Sequence, residues 1–169
     1  RVFGPTASAA RLEYSKAFAK EMMVKCNIST AAFKTFTSSH EAKEYIKEKG
    51  APLVIKADGL AAGKGVVVAE SVDEAINAIV DMMDKKIFAE AGKKVVIEDC
   101  LKGEEASFMV FTDGNTIVPM VSAQDHKRVF DFDRGPNTGG MGAYSPAPVV
   151  TDALADKVIK EVFKPLLNG

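Results

Sequence analysis

The sequence predicts an α+β fold, and three observations carry that prediction. Two capping-box spacings, Ser38 with Glu41 and Ser71 with Glu74, open amphipathic runs. Short runs rich in β-formers stand between the helical ones, at 53–55, 66–69, 95–98, 107–112 and 117–120. Asp113-Gly114-Asn115 joins the last two as a hairpin. The order is therefore mixed, not the strict strand–helix alternation of a doubly wound parallel sheet.

Taken in order, the first helix covers residues 15–26, with Phe18, Met22 and Met23 toward one side and Lys16, Lys20 and Lys25 elsewhere. The first capping box opens a helix over 42–49, which Gly50 stops. After the strand at 53–55, a glycine-rich stretch leads into the strand at 66–69. The second box opens a helix bearing Ala75, Ile76, Ile79 and Met83. The strand at 95–98 and the hairpin follow. Residues 131–148 are rich in Gly, Pro and Asp, and a loop of that length inside a domain is usually functional. A last helix starts at Thr151, with Leu154, Val158, Ile159, Val162 and Phe163 as its stripe, and Pro165 is expected to end or kink it.

Composition bounds the function. At 47% hydrophobic and 27% charged, the chain has apolar surface enough for a core and is not disordered. With 22 basic and 23 acidic residues the net charge is -1, so no global field draws it to nucleic acid. No apolar run is long enough to cross a bilayer, so no membrane partner is expected. Cys26 and Cys100 lie far apart without a CxxC, which argues against a disulfide framework or a zinc site and fits reduced thiols in the cytoplasm. There is neither an initiating Met nor a signal-peptide profile, and the chain reads as a segment of something longer.

The strongest local signal is Lys56-Ala57-Asp58-Gly59-Leu60-Ala61-Ala62-Gly63-Lys64-Gly65. Small residues leave backbone N–H groups free to turn toward an anion, and Lys56 and Lys64 bracket the stretch with point charges. It is not a P-loop. Three residues, not four, precede Gly63-Lys64, Gly65 stands where a hydroxyl is needed, and a strand follows instead of a helix. A glycine-hinged loop between two strands is a natural lid over a nucleotide. A plain surface hairpin is the competing reading.

Two further clusters carry chemistry. Beyond the strand at 95–98, Glu98-Asp99-Cys100-Leu101 can offer backbone groups to an adenine edge, and Glu105 a carboxylate to ribose hydroxyls; a solvated acidic turn is the plainer reading of this segment. Gln124-Asp125-His126-Lys127-Arg128 gathers cations ahead of Gly135-Pro136-Asn137-Thr138-Gly139-Gly140-Met141-Gly142, a second place for an anion. His126 has the pKa range of a general base, but a lone histidine is more often a hydrogen-bonded structural residue. No nucleophile–base pair and no metal-ligand spacing can be assembled, so catalytic residues and metal ligands stay unassigned.

These segments, with Phe3-Gly4-Pro5-Thr6, Ser15-Lys16-Ala17-Phe18-Ala19-Lys20 and Gly103-Glu104-Glu105, resemble in order the phosphoribosylamine–glycine ligases, ATP-grasp enzymes of purine biosynthesis. The resemblance implies ATP, Mg²⁺ (or Mn²⁺), glycine and 5-phosphoribosylamine as ligands, and glycinamide ribonucleotide, ADP and phosphate as products. It implies that Lys16 and Lys56 contact ATP phosphates, that Gly59, Ala62, Gly63, Lys64 and Gly65 belong to the lid, that Glu98, Asp99, Cys100 and Leu101 hold adenine, and that Glu105 holds ribose. Asp125, Lys127, Pro136, Asn137, Thr138, Gly139, Gly140, Met141 and Gly142 would lie on the phosphoribosylamine side. The implied organisation is leading helices at 1–26, an ATP-grasp lid subdomain at 27–96, and the first part of the large ATP-grasp lobe at 97–169. N- and C-terminal parts of the same polypeptide would be missing, the Mg²⁺ ligands among them, leaving an inactive piece. The alternatives are another ATP-grasp carboxylate–amine ligase and a non-catalytic nucleotide-binding module.

Overall fold

Helix starts follow the expected chemistry in the computed structural model, which describes residues 3–61, 65–132 and 134–169. Contacts divide the chain into two units, Arg1–Lys25 with Ser29–Leu101, and Cys26–Ile28 with Lys102–Gly169.

In the first unit, α1 (Arg11–Tyr14) and α2 (Lys16–Lys25) lead into β1 (Phe33–Phe36). Ser38 caps α3 (Ser39–Lys49) by accepting the Glu41 N–H, and Gly50, at φ +83°, closes it by donating to the Ile46 carbonyl at 2.9 Å. β2 (Leu53–Ala57) and β3 (Val66–Ala69) form the hairpin around the glycine-rich stretch. Ser71 caps α4 (Val72–Ile79) in the same way, and the Glu74 carboxylate reaches back to the Glu70 N–H. A π-helical turn at Val80–Asp84 and a 3₁₀ turn at Ala89–Lys93 precede β4 (Val95–Asp99).

The four strands lie in the order β1-β4-β2-β3, every pair antiparallel. Leu53, Ile55 and Ala57 alternate onto one face, where with Val95 and Ile97 they meet Ala42 and Ile46 of α3 and Ala75, Ala78 and Ile79 of α4. The registers Lys56↔Val96 and Val54↔Glu98 put Lys56 and Glu98 together on the other face as a diagonal cross-strand pair. The central strand β4 is thus buried from Val95 through Glu98.

In the second unit the expected hairpin joins β5 (Val110–Thr112) to β6 (Ile117–Pro119). The Asp113 carboxylate closes its turn by accepting the Asn115 and Thr116 N–H groups at 2.9 and 2.7 Å. The strand expected from 107 begins as an isolated bridge, Ser107↔Ala123, before β5. β7 (Gln124–Phe130) and β8 (Arg134–Tyr144) pair as a long antiparallel hairpin. Helical residues then run from α5 (Asp152–Val158) through a π turn at Ile159–Phe163 to α6 (Lys164–Asn168).

One expectation is corrected. The loop expected at 131–148 is mostly strand, because pairing with β7 overrides the weak strand propensity of its glycines. The last helix is interrupted at Ile159–Phe163 by a π turn directly before Lys164-Pro165, in keeping with the expected break or kink at the proline. On α2, Lys20 lies away from the Phe18 side as expected and is buried with Ala17, while Phe18, Met22 and Met23 are half-buried. No helix among the described residues is long and apolar enough to cross a membrane.

Candidate functional site

The base of the glycine hairpin is tied to α2 by charge and hydrogen bonds. Ser15 accepts the Phe18 N–H, and Asp58 accepts the Ala17 N–H at 3.1 Å and the Ser15 hydroxyl at 3.1 Å, so two of the unsatisfied donors at the start of α2 are met. Lys16, at the same helix end, donates to the Gly59 carbonyl at 2.9 Å. Burial pulls the Lys16 ammonium below the ordinary lysine range, against the opposing charge of Asp58.

Glycine is required where the hairpin turns. Gly59 has φ +138°, and a Cβ there would stand 2.9 Å from the Ala91 Cβ. A Cβ on Gly65 would stand 2.6 Å from that of Ala61, and the Gly65 carbonyl accepts the Ala57 N–H at 2.8 Å. Ala62, Gly63 and Lys64 lie outside the described residues.

Beside this hairpin base, Glu98 bridges two lysines. Its Oε1 lies 3.0 Å from Lys56 Nζ and its Oε2 lies 3.1 Å from Lys20 Nζ. Lys20 also donates to Thr30 Oγ1 at 2.6 Å and to the Ala31 carbonyl at 3.0 Å. Sequence reasoning singled out Lys56 and Glu98 but passed over Lys20 and Asp58. Lys20 stands one helical turn from Lys16, and that i, i+4 spacing was the available signal.

The other expected adenine-side residues do not join this cluster through their side chains. Asp99 pairs with Lys49 at 3.1 Å, and its N–H donates to the Ala32 carbonyl at 2.9 Å. Cys100 is half-buried and Leu101 exposed.

In the second unit, Lys127 gathers Glu105 at 3.4 Å and Asp125 at 3.3 Å. Burial pulls its ammonium down, but the Asp125 hydrogen bond and the charge of Glu105 outweigh that and hold it above the ordinary lysine range. His126 packs its ring 5.4 Å from that of Tyr144, whose hydroxyl donates to Gln124. Between the pairs Arg128↔Asn137 and His126↔Gly142, Lys127 is opposed by Thr138, Gly139, Gly140 and Met141. The glycine stretch therefore bulges from the ladder opposite Lys127, with Gly140 at φ +128° and its N–H donating to Thr138 Oγ1 at 3.1 Å. Pro136 and Asn137 lie in β8; their side chains are outside the described residues.

Among the described residues no group of three or more His, Cys, Asp or Glu side chains is arranged to hold a metal ion. The described residues thus form no carboxylate set for Mg²⁺.

Comparison with known proteins bears on the family of the chain. Residues 14–169 match the family model described as phosphoribosylglycinamide synthetase, ATP-grasp (A) domain. The chain is 57% identical to a phosphoribosylamine–glycine ligase of Vibrio cholerae over 99% of its own length and 39% of that protein's. A crystal structure of the Thermotoga maritima phosphoribosylamine–glycine ligase superposes with a TM-score of 0.85 at 42% identity, covering 98% of this chain and 42% of that one. At 19% identity, the biotin carboxylase domain of Hydrogenobacter thermophilus 2-oxoglutarate carboxylase shares the fold alone, with a TM-score of 0.76 over 98% of this chain and 36% of that one. The chain spans about two-fifths of the length of the curated relatives it matches, 39% for the V. cholerae protein. A glycine hairpin rooted on paired lysines, within a match to the family model that runs from residue 14 to residue 169, places this chain in the phosphoribosylglycinamide synthetase ATP-grasp (A) domain family.

Proposed function

We propose that this chain is the nucleotide-holding part of a phosphoribosylamine–glycine ligase. In the whole protein, a glycine carboxylate oxygen attacks the γ-phosphorus of ATP, giving glycyl phosphate and ADP. The amine of 5-phosphoribosylamine then attacks the glycyl carbonyl, phosphate leaves, and the nitrogen gives up a proton to yield glycinamide ribonucleotide. Such chemistry asks the protein mainly to neutralise charge, position the reactants and exclude water.

The observation that carries the reading is Lys56, ion-paired to buried Glu98 at the root of a hairpin whose Gly59 and Gly65 leave no room for a Cβ. Lys16 and Lys56 would meet the phosphates, with Gly59 and Gly65 hinging a lid whose tip includes Ala62, Gly63 and Lys64. The backbone of Glu98, Asp99, Cys100 and Leu101 would hold adenine, and Glu105 ribose. Asp125, Lys127 and the bulge at Thr138, Gly139, Gly140 and Met141, flanked by Pro136, Asn137 and Gly142, would face the phosphoribosylamine. The functional division proposed is 1–26, 27–96 and 97–169. Mg²⁺ would accompany the nucleotide, and a cytoplasmic setting would keep Cys26 and Cys100 reduced.

Calorimetric titration with Mg·ATP tests the reading, with Lys56→Ala as the comparison. Binding that the substitution weakens is the expected result. Equal binding by both proteins, or none by the unsubstituted chain, removes the claim that these residues hold nucleotide.

A further inference from the structure

We infer that Lys20 is a positioning residue that frees Lys56 for an incoming anion, by keeping Glu98 paired when Lys56 lets go. This rests on the reading that Lys56 meets a nucleotide phosphate.

The two oxygens of Glu98 are divided between unlike partners. Lys20 and Glu98 side chains are 9% and 7% exposed, whereas that of Lys56 is 28% exposed. Glu98, Thr30 Oγ1 and the Ala31 carbonyl give the Lys20 ammonium three partners, matching its three donors. Its nitrogen also lies 5.1 Å from the centre of the Phe33 ring. Lys20 is therefore the fixed partner and Lys56 the one that can move.

The consequence follows from the cost of an unpaired buried charge. Without Lys20, drawing Lys56 toward a phosphate would strand the Glu98 carboxylate in a site that excludes water, and Lys56 would stay locked to it. With Lys20 in place, Glu98 keeps one ion pair throughout and Lys56 exchanges partners at far smaller cost. Stability alone does not account for the arrangement, because apolar replacements of a buried ion pair are often neutral or stabilising. Lys20 would touch no phosphate; it acts through Glu98.

A double-mutant cycle tests this, with Lys20→Met and Glu98→Gln made singly and together in this chain. The first readout needs no nucleotide: the rate of acetylation by acetic anhydride at Lys56, relative to exposed Lys102, read by peptide mass spectrometry. Lys20→Met is expected to slow Lys56 by about tenfold, and to change nothing once Glu98 is Gln. The second readout is Mg·ATP affinity, expected to fall by about tenfold with Lys20→Met and not to fall further in the Glu98→Gln background. A merely structural lysine would lower the melting temperature and leave Lys56 reactivity unchanged, which would overturn the proposal. Equal effects of Lys20→Met in both backgrounds would overturn it as well. If Lys20→Met does not fold, Lys20→Gln takes its place in the cycle. An acetylation cycle as expected, with no Mg·ATP binding by any variant, would sustain the coupling and overturn the nucleotide reading instead.

Discussion

The Asp58 carboxylate accepts the backbone N–H of Ala17 at 3.1 Å, so a residue at the root of the glycine hairpin caps a helix 41 positions earlier in the chain. The same oxygen takes the Ser15 hydroxyl, and the second carboxylate oxygen lies 3.7 Å from Lys94 Nζ. Asp58 N–H in turn donates to the Lys94 carbonyl at 2.8 Å. One side chain thus fixes where the hairpin leaves the sheet and where Lys16 sits beside Gly59.

Asp58→Ala is expected to destabilise the first unit by about 0.5–2 kcal/mol, the range for losing a helix cap. Asp58→Asn keeps an acceptor oxygen and should lose less than half of that. Urea unfolding followed by far-UV circular dichroism measures both. An alanine variant as stable as the parent would mean that Ser15 alone supports the start of α2.

Three glycines divide by physical cause. Gly92 carries no positive φ, yet a Cβ there would run into the Met82 carbonyl oxygen in the middle of the π turn, where backbone cannot step aside. Gly92→Ala should cost about 3 kcal/mol or more. Gly59→Ala meets both an unfavourable φ and the Ala91 methyl, and should cost about 1–3 kcal/mol. Gly139→Ala has open space within 4 Å and should stay within about 0.5 kcal/mol of the parent. Thermal unfolding of the three variants should give that order; Gly92→Ala at parental stability would contradict it.

What could be read in the sequence was what local chemistry decides. Ser38 with Glu41, Ser71 with Glu74 and Asp113-Gly114 act over three or four residues, and each forms its expected cap or turn. Lys20 and Asp58 have partners 78 and 43 residues away in sequence, Glu98 and Ser15, so no local window contains their role. β8 was missed for a related reason: its glycines have little intrinsic preference for strand, and only the register with β7 selects it. β1 shows no alternation either, because Phe33 and Phe36 stand three residues apart and so fall on opposite faces of the strand.

The acid limb of stability should carry a small contribution from Asp84. Lys43 Nζ, 2.6 Å from Asp84 Oδ2, hydrogen-bonds the carboxylate and holds it below the usual aspartate range. A depressed folded-state pKa means that this contribution is complete above the unfolded value near 3.8 and is lost as pH falls through the folded one. Asp84 is 43% exposed at its side chain, so solvent screening keeps the effect to about 0.5 kcal/mol. The difference in stability between the parent and Lys43→Met should therefore shrink below pH 3.8. A difference unchanged from neutral pH to below that value would assign the effect to the packing of the Lys43 stem.

The second unit leaves much apolar surface uncovered. Among its described residues only Ile28, Ser122 and Ala147 are buried, while Met109, Val118 and Val121 are 51%, 53% and 68% exposed. The helical run from Asp152 to Asn168 contributes no buried residue, and Leu154, Val158, Val162 and Leu166 recur along it at helical spacing. Apolar area of this kind drives association in water unless something covers it. Sedimentation velocity at rising concentration should show this chain self-associating, and Val118→Lys with Leu154→Glu should shift it toward monomer. The paired substitution is needed because either patch alone can still mediate contact. Only monomer at the highest concentration would mean that these side chains are covered in solution, and the two substitutions would then lower the melting temperature, since each would place a charge against apolar neighbours.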